Sequence, residues 1–314
     1  MKYRPIPEVY EAQLRASYPD ETIDQLTRDV RFADLSEQPG ERIPYARLNE
    51  GASTPLVFVP GFGESIVNKA SFAAELATRG FDVILPGQNR KGMLKDKAEG
   101  RLPTGAQARN VEAVLRAENL LGTTVDFTPH SYGGLVFEAL VRRVAKHTPD
   151  YFQDSRAVLL ASSGVQQEAS LPGLVKRWLA FLPSERDADS QEFPDRDGVT
   201  GKASALTLLA NVPRSLGEAR DLYKKRLDFP YLISKVGSVA IVNYAEDAMY
   251  PDAFLEPGIA DAMNAGCAAW SPVSLDMMPD GTIRSGRGAT HDDEQFNPSR
   301  VAGALARVLL PINQ

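Results

Sequence analysis

Four apolar runs of strand length, LVFV (56–59), FDVIL (81–85), TVDFT (124–128) and AVLLA (157–161), are separated by stretches with helical spacing. No other feature narrows the fold as far. Short apolar runs ended by proline, glycine or polar groups are what strands covered on both faces look like. Between them, residues 68–79 place Phe72 and Leu76 on one face before Gly80, residues 108–121 place Val111 and Leu115 before Gly122, and residues 135–146 align Val136, Leu140 and Val144. Strands alternating with such helices predict parallel β-α-β units, right-handed crossovers and a sheet covered on both faces. SVAIVNY (238–244) adds a strand, residues 42–48 an edge strand and residues 10–30 a polar helix. A closing helix runs from about Pro298 to Leu310 with Asn297 as its cap.

The alternation stops between Gly164 and Lys235, where helix-like pieces around 174–182 and 203–209 are joined by DADSQEFPDRDG. The chain therefore reads as an α/β core, residues 1–164 and 236–314, interrupted by a helical cap insertion at 165–235. Trp178, Phe181, Leu182, Leu206 and Leu209 either line an apolar pocket or simply pack that insertion onto the sheet. A second, smaller insertion before residue 290 holds a helix in AMNAGCAAWSP and a hairpin turn at Asp280-Gly281.

Composition mainly excludes. The net charge is −6 and no basic cluster stands out, which argues against nucleic acid as a partner. The amino-terminal residues lack an apolar core of signal-peptide length and no later run is long enough to span a membrane, so a cytoplasmic protein is expected. Cys267 is the only cysteine, so neither an intrachain disulfide nor a thiolate metal cage can form. His130, His147 and His291 are the only histidines, none in a metal-ligand spacing, and no metal or cofactor is expected. Composition is silent on oligomeric state.

TPHSYGG (128–134) joins the third strand to the helix that follows it. Ser131 thereby falls at the carboxyl edge of a parallel sheet, where ligands bind in open α/β folds. The first free amides of the next helix point toward any anion formed beside it. Taken alone, a serine beside two glycines reads better as a helix cap than as a nucleophile. A serine that attacks needs a base within hydrogen-bond reach and a third group to orient the base.

HSYGG resembles the G-x-S-x-G nucleophile elbow of the α/β-hydrolase fold in its HSxGG form, and the resemblance spans residues 56–310. Pro129 departs from the pattern, standing where glycine is expected, while Gly133 keeps the other side small. A proline can end a strand where its missing N–H is not needed. The resemblance implies the order serine, acid, histidine. His291, in RGATHDDEQFNP before the final helix, then takes the place of the base, while His147 reads as solvated and His130 as packed or hydrogen-bonded beneath the turn. Asp247, just past the strand 238–244, takes that of the acid, with Glu246 its close competitor. VPGFGES resembles the family's oxyanion loop, which implies backbone donors at Phe62 and Tyr132. The rival reading of GFGES as a phosphate loop lacks the third glycine and a following lysine.

These residues together imply a serine hydrolase that cleaves an ester-like bond of a small, uncharged, moderately hydrophobic substrate through an acyl-enzyme. Lactonase, amidase, acyltransferase, carbon–carbon hydrolase and cofactor-free haloperoxidase chemistry fit the same scaffold, as does a non-catalytic protein that binds a ligand or partner. A serine at the elbow speaks against haloalkane dehalogenase and epoxide hydrolase chemistry, which use aspartate there.

Overall fold

The computed structural model describes residues 6, 8–35, 41–61, 64, 66–87, 103–165, 173, 220–244, 247, 252–266, 269–273 and 298–309. Their strands are β1 (Arg31–Asp34), β2 (Arg42–Leu48), β3 (Pro55–Val59), β4 (Asp82–Pro86), β5 (Asp126–Pro129), β6 (Arg156–Leu160), β7 (Ser238–Tyr244) and β8 (Ala269–Val273). They form one sheet in the order β1-β2-β4-β3-β5-β6-β7-β8. The β1–β2 and β2–β4 pairings are antiparallel, and the others are parallel. The helices are α1 (Glu8–Ser17), α2 (Asp20–Thr27), α3 (Ile66–Thr78), α4 (Pro103–Ala117), α5 (Gly133–Val144), α6 (Phe229–Lys235), α7 (Asp252–Ala265) and α8 (Pro298–Leu309).

Both sheet faces are buried, which explains why the strands read as unbroken apolar runs. Leu56, Phe58, Val83, Leu85, Val158 and Leu160 share a core with Leu26, Phe72, Leu76 and Leu305 from α2, α3 and α8. The alternate residues Val57, Val59, Ile84, Phe127 and Leu159 share the other with Leu115, Val136, Leu140 and Leu232 from α4, α5 and α6. This is the period of two that a pleated strand imposes. Each such side chain contributes about 1.5–3 kcal/mol when fully buried. From β3 the chain steps outward to β4, then returns to β5 and continues through β6, β7 and β8 in the opposite direction. The carboxyl ends of β3 and β5 therefore flank the point where the order reverses, the usual ligand crevice of an open sheet.

The expected strands are present within two residues at either end, and three details differ. The amino-terminal helix is two helices, α1 and α2, because Pro19 biases Tyr18 away from helical backbone. In AMNAGCAAWSP the helix ends at Ala265, and Ala269–Val273 is a strand whose Pro272 pairs with Asn243. That proline is tolerated because β8 lies at the edge of the described sheet. The short antiparallel β1 was not anticipated. Asn297, the turn at Asp280-Gly281 and the candidate pocket residues Trp178, Phe181, Leu182, Leu206 and Leu209 lie outside the described residues. Among the described residues, no helix is long and apolar enough to cross a membrane.

At the opposite end of the strands from the site, Arg47 forks onto the fully buried Asp82 (3.0 and 2.7 Å) and reaches Glu118 (2.6 Å). Burial alone would raise the Glu118 pKa, but hydrogen bonds from Tyr45, Arg31 and Arg47 outweigh it and hold the carboxyl below its ordinary range. A depressed folded-state pKa adds stability above the unfolded value, about 4.3, and that stability is lost as the pH falls through the folded value. Thermal melts stepped downward in pH should show wild type losing stability more steeply below about pH 4 than Glu118→Gln does. Equal slopes would remove Glu118 from the acid response.

Candidate active site

Ser131 follows β5 with φ at 49°, a left-handed backbone that side chains other than glycine rarely adopt. Strain of this kind costs on the order of 1–3 kcal/mol and persists only where the surroundings over-determine it. They do so here from both neighbouring strands. The His130 amide donates to Val59 O on β3 (3.0 Å), and the Ser131 amide donates to Leu160 O on β6 (3.1 Å). Ser131 O accepts from the amides of Gly134 (3.0 Å) and Ser163 (2.8 Å). Ser131 is buried, at 6% exposure. The N-cap of α5 is Tyr132, whose side chain makes no capping hydrogen bond.

Gly133 explains itself by contact: a Cβ there would lie 2.1 Å from Val59 O, so no side chain fits without moving β3. Pro129 is accommodated by phase. Amides two residues apart in a strand face the same side, and that of Ser131 faces β6, so the amide missing at Pro129 is one that would have faced β6. The β5–β6 ladder pairs Phe127 with Ala157 and resumes as an isolated bridge between His130 and Leu160. Ser162 Oγ donates to Pro129 O (2.9 Å), tying the two strands just below the corner.

On the other side of the serine is the turn after β3. A Cβ on Gly61 would lie 3.0 Å from Ser131 Cβ and 2.9 Å from Glu64 Oε1, so the serine and the Glu64 carboxylate both crowd this turn and leave no room for a side chain. Glu64 accepts from the Gly61 amide, faces His130 Nδ1 at 2.6 Å and pairs with Lys69 Nζ at 3.0 Å. A carboxylate only accepts, so His130 carries its proton on Nδ1. Its ring stacks on Phe58, with centroids 6.3 Å apart. His130 is therefore packed and hydrogen-bonded beneath the turn, as expected. Glu64 and Lys69 were not anticipated. The partner that ties Glu64 to the corner, His130, is 66 residues away, and the local signal was only a glutamate three residues after Gly61 in GFGES with a lysine five residues beyond it.

Tyr132, the expected backbone donor beside Ser131, is fully buried. Its hydroxyl donates to Asp221 (3.3 Å), which also accepts from Thr104 Oγ1 on α4 (3.2 Å) and from Lys225 Nζ (3.1 Å). One buried carboxylate thus joins the corner, the start of α4 and the segment leading to α6.

Asp247 lies three residues past the end of β7, at the same sheet edge as Ser131, and is 2% exposed. β6 alone separates β7 from β5, which sets those two strands about 10 Å apart. His291, Phe62 and Glu246 lie outside the described residues. The structure therefore places Ser131, Tyr132 and Asp247 at one edge, beside the Gly61 turn. A cavity of about 800 Å³ is lined by Gly164, Val165, Leu227, Phe229, Gly258 and Asp261, among others. Its described lining includes neither Ser131 nor Asp247, so it is not assigned to a reacting group. Among the described residues, no group of three or more His, Cys, Asp or Glu side chains could hold a metal ion.

The sequence matches no protein-family model and no curated protein. Solved structures do match. A hydrolase from Pseudomonas aeruginosa PA01 superposes with a TM-score of 0.58 at 17% identity, covering 90% of this chain and 99% of its own. An enol-lactonase from Burkholderia xenovorans LB400 gives 0.58 at 15% identity, over 90% and 100% of the two chains. A thermophilic esterase from Thermogutta terrifontis gives 0.56 at 16%, over 89% and 97%. Likeness at such identity is likeness of architecture.

Proposed function

We propose, taking the chain's α/β-hydrolase fold as the premise, that it is a serine hydrolase acting on an ester-like bond through an acyl-enzyme. The observation that carries this reading is Ser131 at φ 49°, held in a strained strand-to-helix corner where the strand order reverses. Asn49, Asn119 and Ala161 share a positive φ, so the backbone alone does not mark a nucleophile; what supports the reading is that this strained residue is a serine on a strand-to-helix turn at the carboxyl edge of the sheet.

In the proposed reaction His291 takes the Ser131 hydroxyl proton as the oxygen attacks the carbonyl carbon. The charge that develops on the carbonyl oxygen is met by the amides of Tyr132 and Phe62. Each such donor supports about 10²–10³ in kcat. Collapse of the tetrahedral intermediate passes the proton from His291 to the leaving group. A water then repeats the sequence on the acyl-enzyme and returns Ser131 to its free state. Asp247 stays ionised throughout, holding the imidazole in one tautomer and stabilising its cation. No cofactor takes part. The substrate read from the sequence is small, uncharged and moderately hydrophobic, with the segment 165–235 read as a helical cap insertion. The structural neighbours include an esterase, a bromoperoxidase, an enol-lactonase and an N-formylmaleamic acid deformylase, so the fold leaves the choice of acyl chemistry open.

The test is direct. The protein is incubated with a fluorophosphonate probe, digested, and the modified peptide is located by mass spectrometry. Label is expected on Ser131, and an unlabelled Ser131 in folded protein ends the reading. A series of short and long p-nitrophenyl esters then ranks acyl chain length.

A further inference from the structure

Glu64 is a buried charge for which the proposed reaction has no use. Its carboxylate gathers donors from three places: the Gly61 amide in the turn after β3, His130 immediately before the nucleophile, and Lys69 on α3. Glu64 is 7% exposed, Lys69 1% and His130 0%. An ion pair buried in this way is on balance no more stabilising than an apolar pair of the same size. What it supplies is direction, because each hydrogen bond fixes one wall of the site relative to another.

Gly61 shows what is being fixed. The position a Cβ would take there is 2.9 Å from Glu64 Oε1 and 3.0 Å from Ser131 Cβ. Those two atoms are therefore no farther apart than the sum of the distances, about 6 Å, and both border the space beside the Gly61 Cα. The Gly61 amide is committed to Glu64, so the Pro60–Gly61 peptide plane, the one immediately before the plane that carries the Phe62 amide, is set by the carboxylate. Through His130 the same carboxylate is tied to the residue next to Ser131. Donor turn and nucleophile corner thus share a single anchor.

We propose that Glu64 is a positioning residue for oxyanion stabilisation, acting through the Gly61 turn; this rests on the serine-hydrolase reading above. What matters is its acceptor toward Gly61, and the charge follows from Lys69. Two charge-neutral double variants separate the roles. Glu64→Gln with Lys69→Met keeps an amide oxygen for the Gly61 amide, whereas Glu64→Met with Lys69→Met removes it. In wild type first shown to take label on Ser131, the Gln pair should hold kcat within about threefold, while the Met pair should lose about 10²-fold in kcat with KM little changed. Thermal melts establish that both are folded.

Equal kcat in the two pairs, whether both high or both low, overturns the proposal while leaving the labelled serine in place. Should the Met pair fail to fold, Glu64→Leu with Lys69→Met replaces it. If that also fails, Glu64 serves the fold itself and the positioning role falls. Wild type that takes no label sinks the hydrolase reading and this proposal together, an outcome distinct from the others.

Discussion

Ser131→Ala should abolish fluorophosphonate labelling and lower kcat toward p-nitrophenyl esters on the order of 10⁶-fold, the scale set by loss of a triad nucleophile. KM should move little, since the acyl pocket is untouched. The informative companion is Ser131→Gly. Both variants lack the hydroxyl, but alanine keeps a Cβ on backbone at φ 49°, whereas glycine occupies that region freely. The glycine variant should therefore melt above the alanine variant. Relief of strain outweighs the extra freedom of the unfolded chain by about 1 kcal/mol. Two equally inactive proteins that differ in this order would tie the strain to the corner itself. If glycine is the less stable of the two, the turn is not strained and the observation that carries the proposed function is lost.

The second large effect falls on the acid. Asp247→Asn keeps shape and volume while removing the charge that stabilises the imidazolium, and kcat should fall by about 10⁴-fold with the protein still folded. Glu246→Gln, one residue away, should alter kcat only a few-fold, as expected of a group outside the relay. A carboxylate at 2% exposure must be paired or hydrogen-bonded to remain ionised, as an acid that orients a base would be. If the loss followed Glu246→Gln instead, the assignment would pass to that residue and the rest of the mechanism would stand.

Much of this was legible from the chain alone, for a physical reason. Strands buried on both faces carry apolar residues at most positions, so β3 to β7 announce themselves, and Gly133 marks the corner because no Cβ fits against Val59 O. β1 and β8 were harder. The first has four residues with one buried, and the second contains a proline that only an edge position allows. The anchor on Glu64 was invisible for another reason. Glu64 and His130 are 66 positions apart, and a polar residue in a glycine turn looks like a solvated loop until β3 and β5 are known to be neighbours. Lys69 was hidden in the same way, since a lysine on a helix is ordinarily read as part of its wet face.

The carboxylate of Asp221 has a bearing on how such a scaffold tolerates being re-engineered. It stands at the end of the long stretch between β6 and β7, yet it holds the hydroxyl of the residue next to the nucleophile and the first turn of α4. Exchanging the preceding stretch for one of different length or composition is compatible with an intact corner only if the splice is made upstream of that aspartate. A graft that carries its own return segment must bring an equivalent acceptor to the same spot.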